Sequence, residues 1–285
     1  MSAHATSALR VDAHHHVWQL DRGDYGWLTP ALAPIYRDFT VADVAPLEEA
    51  AGIAATVLVQ AAPTVAETRF LLDVARNSGG LVRGVVGWVD FTARDVVETL
   101  HDLARDPLLK SVRPMLQDLA DLQWILRPDV QPALAALPAL GLRFDALVKP
   151  PQLPALLEML DRHPNLAVVI DHGAKPPIAA RGLDPWRSLI RDVAAHQHVH
   201  CKLSGLVTEA APGWSPDDLR PCVDHLLDCF GARRMMWGSD WPVVDLGGGY
   251  RRWRAATGQL LAHLSAGERN AILGDTARRF YDLAD

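Results

Sequence analysis

The sequence predicts an α/β protein, a distorted (β/α)8 TIM barrel in a single domain spanning residues 10–285 behind a short tail, residues 1–9. Eight short, β-branched apolar runs recur along the chain, and their starts are separated by roughly 20–45 residues, room for a strand, a helix and two loops. The stretches between them carry apolar residues at helical spacing. No break in composition divides the 285 residues, a length that suits one barrel of about 250 residues.

The runs justify the units in order. Arg10–Asp12 opens the barrel. Ala55–Gln60 follows, then a helical stripe of Phe70, Leu71, Val74 and Ala75. Val82–Val89 precedes the stripe Val96, Leu100, Leu103, and Lys110–Met115 is the fourth run. Gly141 after Leu140 reads as a helix stop before the fifth, Phe144–Val148. Leu153, Leu156, Leu157 and Leu160 then mark one inward helix face, ended near Pro164. Ala167–Asp171 and Val199–Leu203 are the sixth and seventh runs. Leu219, Val223, Leu226, Leu227 and Phe230 lead to the eighth, Arg234–Trp237. An open doubly wound sheet would announce a Gly-rich phosphate turn after its first strand. Here that strand leads into His-His-His-Val-Trp, and the cluster Gly247–Gly249 comes late and reads as a flexible loop.

Composition narrows the function. An apolar fraction of 49% excludes a disordered chain. Lys plus Arg total 28 against 34 Asp plus Glu, a net charge of −6, and no basic stripe appears, so nucleic acid is not an expected partner. Cys201, Cys222 and Cys229 form no CxxC pair and read as reduced core residues, the last two on one helix face. Met1–Arg10 lacks an apolar signal core and no run of 18 apolar residues occurs, so a cytoplasmic protein with no membrane partner is expected. Histidine (12) and tryptophan (9, against 4 Tyr and 6 Phe) are in surplus, and that surplus points to a site.

In a barrel the chemistry sits where strands end at the C-terminal face. The first strand ends Asp12-Ala13-His14-His15-His16; alternation puts His14 and His16 on one side and His15 on the other. Two such imidazoles can bind a divalent metal or polarise a carbonyl, or can be a satisfied polar strand end. The sixth strand ends Ile170-Asp171-His172 with Lys175 behind it; the eighth ends Trp237-Gly238-Ser239-Asp240-Trp241. Asp240 can bind metal through one oxygen and accept a proton on the other, or cap a turn. Three strand ends carrying such residues favour a shared mouth. Gln60, Asp90, Arg113, Lys149, Lys202 and Ser204 stand at other strand ends; Arg113 or Lys149 can hold a carboxylate or oxyanion, or be structural. Trp18, Tyr25, Trp27, Trp88, Trp214 and Trp241 crowd the same rim, where flat walls suit cyclic substrates.

The segments VDAHHHVW (11–18), DYGWL (24–28), VIDHGAKP (169–176), CKLSGLVTEA (201–210) and MMWGSDWPV (235–243) resemble the amidohydrolase-related sugar lactonases, the L-fuconolactone and L-rhamnonolactone hydrolases of the amidohydrolase superfamily. The resemblance runs from about residue 10 to residue 283. It implies hydrolysis of a cyclic ester and matches His14, His16, His172 and Asp240 to the superfamily's strand-end residues. Strand five offers no histidine and strand four offers Arg113 instead of a bridging lysine or carboxylate, so a binuclear centre is not expected. One divalent metal at most, Zn²⁺ by the donor set, is implied, with metal-free hydrolysis the other outcome.

The resulting expectation is opening of an aldonolactone, L-fuconolactone foremost, with Asp240 as general base. His172, Arg113 or Lys175 would stabilise the oxyanion. Trp18, Tyr25, Trp27, Trp88 and Trp241 would hold the ring, and Gln60 and Asp90 its hydroxyls. A dicarboxylate-type lactone and a mononuclear-zinc decarboxylation are the alternatives. Oligomeric state is not legible.

Overall fold

Eight parallel strands stand in chain order, each hydrogen-bonded to the next, in the computed structural model, which describes residues 9–284. The tail assigned to residues 1–9 lies, apart from Leu9, outside the described residues. The strands are β1 Arg10–His15, β2 Ile53–Val59, β3 Val82–Gly87, β4 Leu109–Val112, β5 Arg143–Ala146, β6 Val168–Ile170, β7 Val199–Leu203 and β8 Met235–Trp237. The barrel is the expected one, with shorter staves: β4, β5 and β6 stop where their chains turn into the mouth. β1 instead runs on to His15. A single parallel bridge, His15 to Trp241, brings β1 against the segment after β8 and nearly closes the ring.

The main outer helices are α1 Val41–Ala51, α2 Val65–Arg76, α3 Val96–Leu103, α4 Gln131–Ala136, α5 Leu153–Arg162, α6 Trp186–Ala195, α7 Pro216–Phe230 and α8 Tyr250–Leu260. Short α9 Ala266–Asn270 and α10 Thr276–Tyr281 follow, with a π-helical turn at Ala271–Asp275 between them. Local chemistry sets several ends. Thr40 and Asp43 form a reciprocal capping box at the start of α1, as Ser215 and Asp218 do for α7. Gly52 and Gly141 take the left-handed conformation that lets helices stop, at φ +70° and +68°. All three cysteines are free; Cys201 and Cys222 are buried and Cys229 is half-buried. Among the described residues no helix is long and apolar enough to cross a membrane.

Alternation divides each strand between two cores. Val85, Val112, Phe144, Ile170, Leu203 and Trp237 face the helices in the outer core. Val57, Val59, Val86, Val169 and Met236 form a separate cluster closed off by Phe280 and Tyr281 of α10. The polar partners of this inner face are Ser111, Asp145, Asp171 and Lys202, all fully buried. Sequence alone places Lys202 at a strand end but gives Ser111, Asp145 and Asp171 no role, because charged residues inside a barrel are sustained only by one another. Lys202 Nζ lies 2.5 Å from Asp145 Oδ2 and 3.0 Å from Asp171 Oδ1, and Ser111 Oγ and Tyr281 OH donate to Asp145 at 2.6 and 2.7 Å.

Candidate active site

Four side chains from three strand ends point at one volume. His14 and His16 present their Nε2 atoms 3.2 Å apart. Asp240 Oδ1 stands 3.7 Å from Nε2 of His14, 3.5 Å from that of His16 and 3.9 Å from that of His172. His15 turns away, as alternation requires, and meets Thr56 Oγ1 at 2.9 Å. The far nitrogens of the three inward rings are engaged. His16 Nδ1 faces the Val59 carbonyl at 2.8 Å; a carbonyl only accepts, so the proton sits on Nδ1 and Nε2 offers a lone pair. His172 Nδ1 pairs with Ser204 Oγ at 2.9 Å. His14 Nδ1 faces Lys202 Nζ at 3.1 Å and Asp171 Oδ1 at 3.4 Å.

The backbone is bent to achieve this. His172, Ala174 and Lys175 occupy the left-handed region at φ +54°, +59° and +50°, and Asp240 does so at +59°. Each such residue costs of order 1–3 kcal/mol, a strain that persists where the surroundings over-determine it. The β1 seam supplies part of that constraint: Asp240 N–H donates to the His14 carbonyl at 2.8 Å and His16 N–H to the Trp241 carbonyl at 2.7 Å. Asp12 adds to it by accepting from the amides of His14 at 3.0 Å and Ser239 at 2.9 Å.

Burial drives the electrostatics. It pushes His172 down to about 4 in spite of Asp240 and Asp171 nearby. Burial and then Lys202 push His14 well below the ordinary imidazole range. For Asp240, burial acts upward, but the His172, His16 and His14 rings hold it below the usual carboxylate range. At neutral pH the centre is therefore rich in lone pairs and poor in protons. His14, His172 and Asp240 offer donor atoms within 4.8 Å of one another, with His16 beside them. Separations of 3.2–3.9 Å resemble the edge of about 3.3–3.4 Å of a tetrahedron with bonds of about 2.0–2.1 Å. The donor set fits one divalent metal.

The mouth above these groups is a cavity of about 350 Å³ lined by His16, His172 and Asp240 together with Arg113, Lys175 and Trp27. Arg113 is pinned: Nη1 donates to Asp171 at 3.2 Å and Nη2 to the Gln60 carbonyl at 2.5 Å. Lys175 Nζ lies 3.7 Å from Glu209.

Several expected substrate contacts are placed elsewhere. Trp18 is fully buried, its indole N–H on the Arg37 carbonyl at 2.8 Å and its ring against Phe39 and Trp27. Tyr25 is buried and donates to Glu67 at 2.8 Å. Gln60 is buried with its amide on the Arg113 carbonyl at 2.8 Å, so it braces Arg113. Trp241 is buried against Phe39. These four are walls of the loops, because large aromatics and polar groups at strand ends find partners within the fold before they find solvent. Trp88 and Asp90 line a neighbouring cavity with Trp27. Lys149 is exposed at the rim, 3.9 Å from Asp118. Lys202 lies inside the barrel. Asp171, which holds Arg113 and faces His14, was missed; its signal was a carboxylate at the end of an otherwise apolar strand.

Eight β/α units with three histidines and an aspartate converging on one mouth define an amidohydrolase-type barrel. The chain belongs to the amidohydrolase family, whose model matches residues 11–283. It is 48% identical over 281 residues to an L-fucono-1,5-lactonase of Burkholderia ambifaria, covering 96% of each chain. It is 37% identical to an L-fucono-1,5-lactonase of Burkholderia multivorans, covering 98% of this chain and 97% of that one. A crystal structure of an amidohydrolase from B. multivorans with bound zinc superposes with a TM-score of 0.92, at 37% identity, over 97% of this chain and all of the other.

Proposed function

We propose that the protein hydrolyses an aldono-1,5-lactone, L-fucono-1,5-lactone first among them, to the open-chain aldonic acid. The observation that carries this reading is the convergence of His14, His16, His172 and Asp240 in a chain 48% identical to an L-fucono-1,5-lactonase. A cytoplasmic location belongs to the same reading.

Asp240 turns Oδ1 toward the three rings, which leaves Oδ2 to take a proton from water. The resulting hydroxide adds to the lactone carbonyl. The ring C–O bond then breaks, and the proton held by Asp240 passes to the leaving ring oxygen. A divalent ion held by His14, His16, His172 and Asp240 would supply Lewis acidity at the carbonyl. The Ser204 hydroxyl suits His172 to either state of the centre. When Oγ accepts from Nδ1–H, Nε2 is a lone pair for a cation. When Oγ donates, Nε2 carries the proton and can stabilise the oxyanion. Arg113 contributes a fixed positive charge and Lys175 a more movable one.

The test is a pH-indicator assay of L-fucono-1,5-lactone above its spontaneous hydrolysis. Acid release with a kcat/KM of about 10⁴ M⁻¹s⁻¹ or more is expected. Absence of turnover across aldonolactones, or CO₂ release from an aromatic acid in its place, would overturn the reading.

A further inference from the structure

The catalytic cavity has a neighbour. A second cavity of about 450 Å³ shares Trp27, Met115 and Asp118 with the first and is lined by the loops after β1, β2, β3 and β4. Both volumes fall within the range of small-molecule sites, about 300–1,000 Å³. Its walls are aromatic: Trp27, Trp88, Phe91 and Trp124, the last two packed with ring centroids 6.2 Å apart. Its polar groups are carboxylates. Asp24, Asp90 and Asp118 line it, and no Lys, Arg or His does among the described residues. Asp24 Oδ2 is taken by Arg22 and Thr64 at 3.0 Å each, but Oδ1 is buried without a hydrogen-bond partner. Gln117 Oε1, in the lining of the catalytic cavity, is likewise buried and unpartnered.

Flat aromatic faces with hydrogen-bond acceptors and no basic side chain select a ligand that is apolar on its ring faces and rich in hydroxyl donors on its edge. A carboxylate-bearing ring is disfavoured there, since Arg22 and Lys149 lie against Asp24 and Asp118 and no cation among the described residues lines the cavity to receive it. We propose that this second cavity is a subsite for a further neutral sugar ring, so that the preferred substrate is a glycosylated aldonolactone, a disaccharide lactone, with its lactone ring over Asp240 and its second ring between Trp27, Trp88 and Trp124. The proposal rests on the lactonase reading. It explains why Trp88 and Asp90 line a cavity that the four converging side chains do not reach.

The test compares kcat/KM for a monosaccharide 1,5-lactone with that for the same lactone carrying a second sugar at O2, O3 or O4. At least one linkage is expected to gain about tenfold, through KM, a size in keeping with ring stacking. Leu119→Trp, which fills the second cavity from a half-buried position, should erase that gain and leave the monosaccharide lactone within about threefold. Trp124→Ala should cost the glycosylated lactone about five- to tenfold, with Trp124→Tyr restoring much of it. The proposal is overturned if every glycosylated lactone is poorer than its parent, or if Leu119→Trp lowers both substrates equally. Should no lactone be turned over, the lactonase reading falls separately. Tryptophan-fluorescence titration with the disaccharide aldonate and the monosaccharide aldonate then decides. Tenfold tighter binding of the former, lost in Leu119→Trp, supports the subsite; equal affinities refute it.

Discussion

Gly205 lies so close beside His172 that a β-carbon at position 205 would come within 2.6 Å of the imidazole Cγ and 3.0 Å of its Cβ. Its backbone also sits in the left-handed region, at φ +62°. Gly205→Ala must therefore push the His172 ring away from Asp240 or move the β7 end. We expect kcat on the lactone to fall by about 10²-fold and stability to drop by about 1–2 kcal/mol from the backbone alone. Native kcat in a folded Gly205→Ala protein would remove His172 from the site.

Asp240→Asn keeps the shape of the side chain and removes the base. Its turnover should fall by about 10²–10⁴-fold with little change in melting temperature. The comparison to make is single-turnover lactone hydrolysis alongside a thermal melt; a native rate would transfer the role of base to another group.

Metal content is the third test. Elemental analysis of purified protein should find at most one divalent ion per chain, zinc by the donor set, and His16→Ala should weaken its retention by at least tenfold. Two ions per chain would contradict the mononuclear reading drawn from Arg113 directly after β4 and the absence of histidine from β5.

How much of this was legible depended on where each residue's partner lay in the chain. His14, His16 and His172 announced themselves by position, because period-two alternation and strand ends are local properties. Asp171, Asp145 and Lys202 were readable only as oddities within or beside apolar strands. Their pairing joins β5, β6 and β7, and nothing local records it. The tryptophans illustrate the converse. Trp18 and Trp27 look alike on the page, yet one is wrapped by Phe39 and the Arg37 carbonyl while the other stands between two cavities. Loop path decides that difference, and loop path is the part of a barrel that periodicity does not reach.

The inner charge cluster gives a stability prediction. Lys202→Met would leave Asp145 and Asp171 buried without their shared ammonium, so about 3–5 kcal/mol of unfolding free energy should be lost. Urea denaturation reads it. Adding Asp145→Asn should recover part of the loss by neutralising one stranded carboxylate; no difference between the single variant and the wild type would mean that Lys202 is not a structural cation.

Glu67 carries the pH prediction. Burial raises its carboxyl to about 7, although Tyr25, the Ala61 amide and Arg22 act in the opposite direction. A carboxyl whose pKa is higher folded than unfolded binds more protons in the native state between the two values. Its contribution is therefore full below about pH 4.5 and is lost as pH rises through about 7, a loss of about 3 kcal/mol. Glu67→Gln should flatten this part of the stability profile between pH 5 and pH 8. An unchanged slope in the variant would place the titration elsewhere.

The seam at β1 and β8 has a consequence for assembly. It is the pairing with the greatest chain separation in the barrel, 227 residues between Asp12 and Ser239, so its loop-closure entropy is the hardest to recover and its bonds are expected to form late. The same bonds set His14 against Asp240. A barrel folded through seven of its eight staves would resemble the finished enzyme to most spectroscopic probes and still be catalytically silent, so recovered activity during refolding would time the closing of the ring.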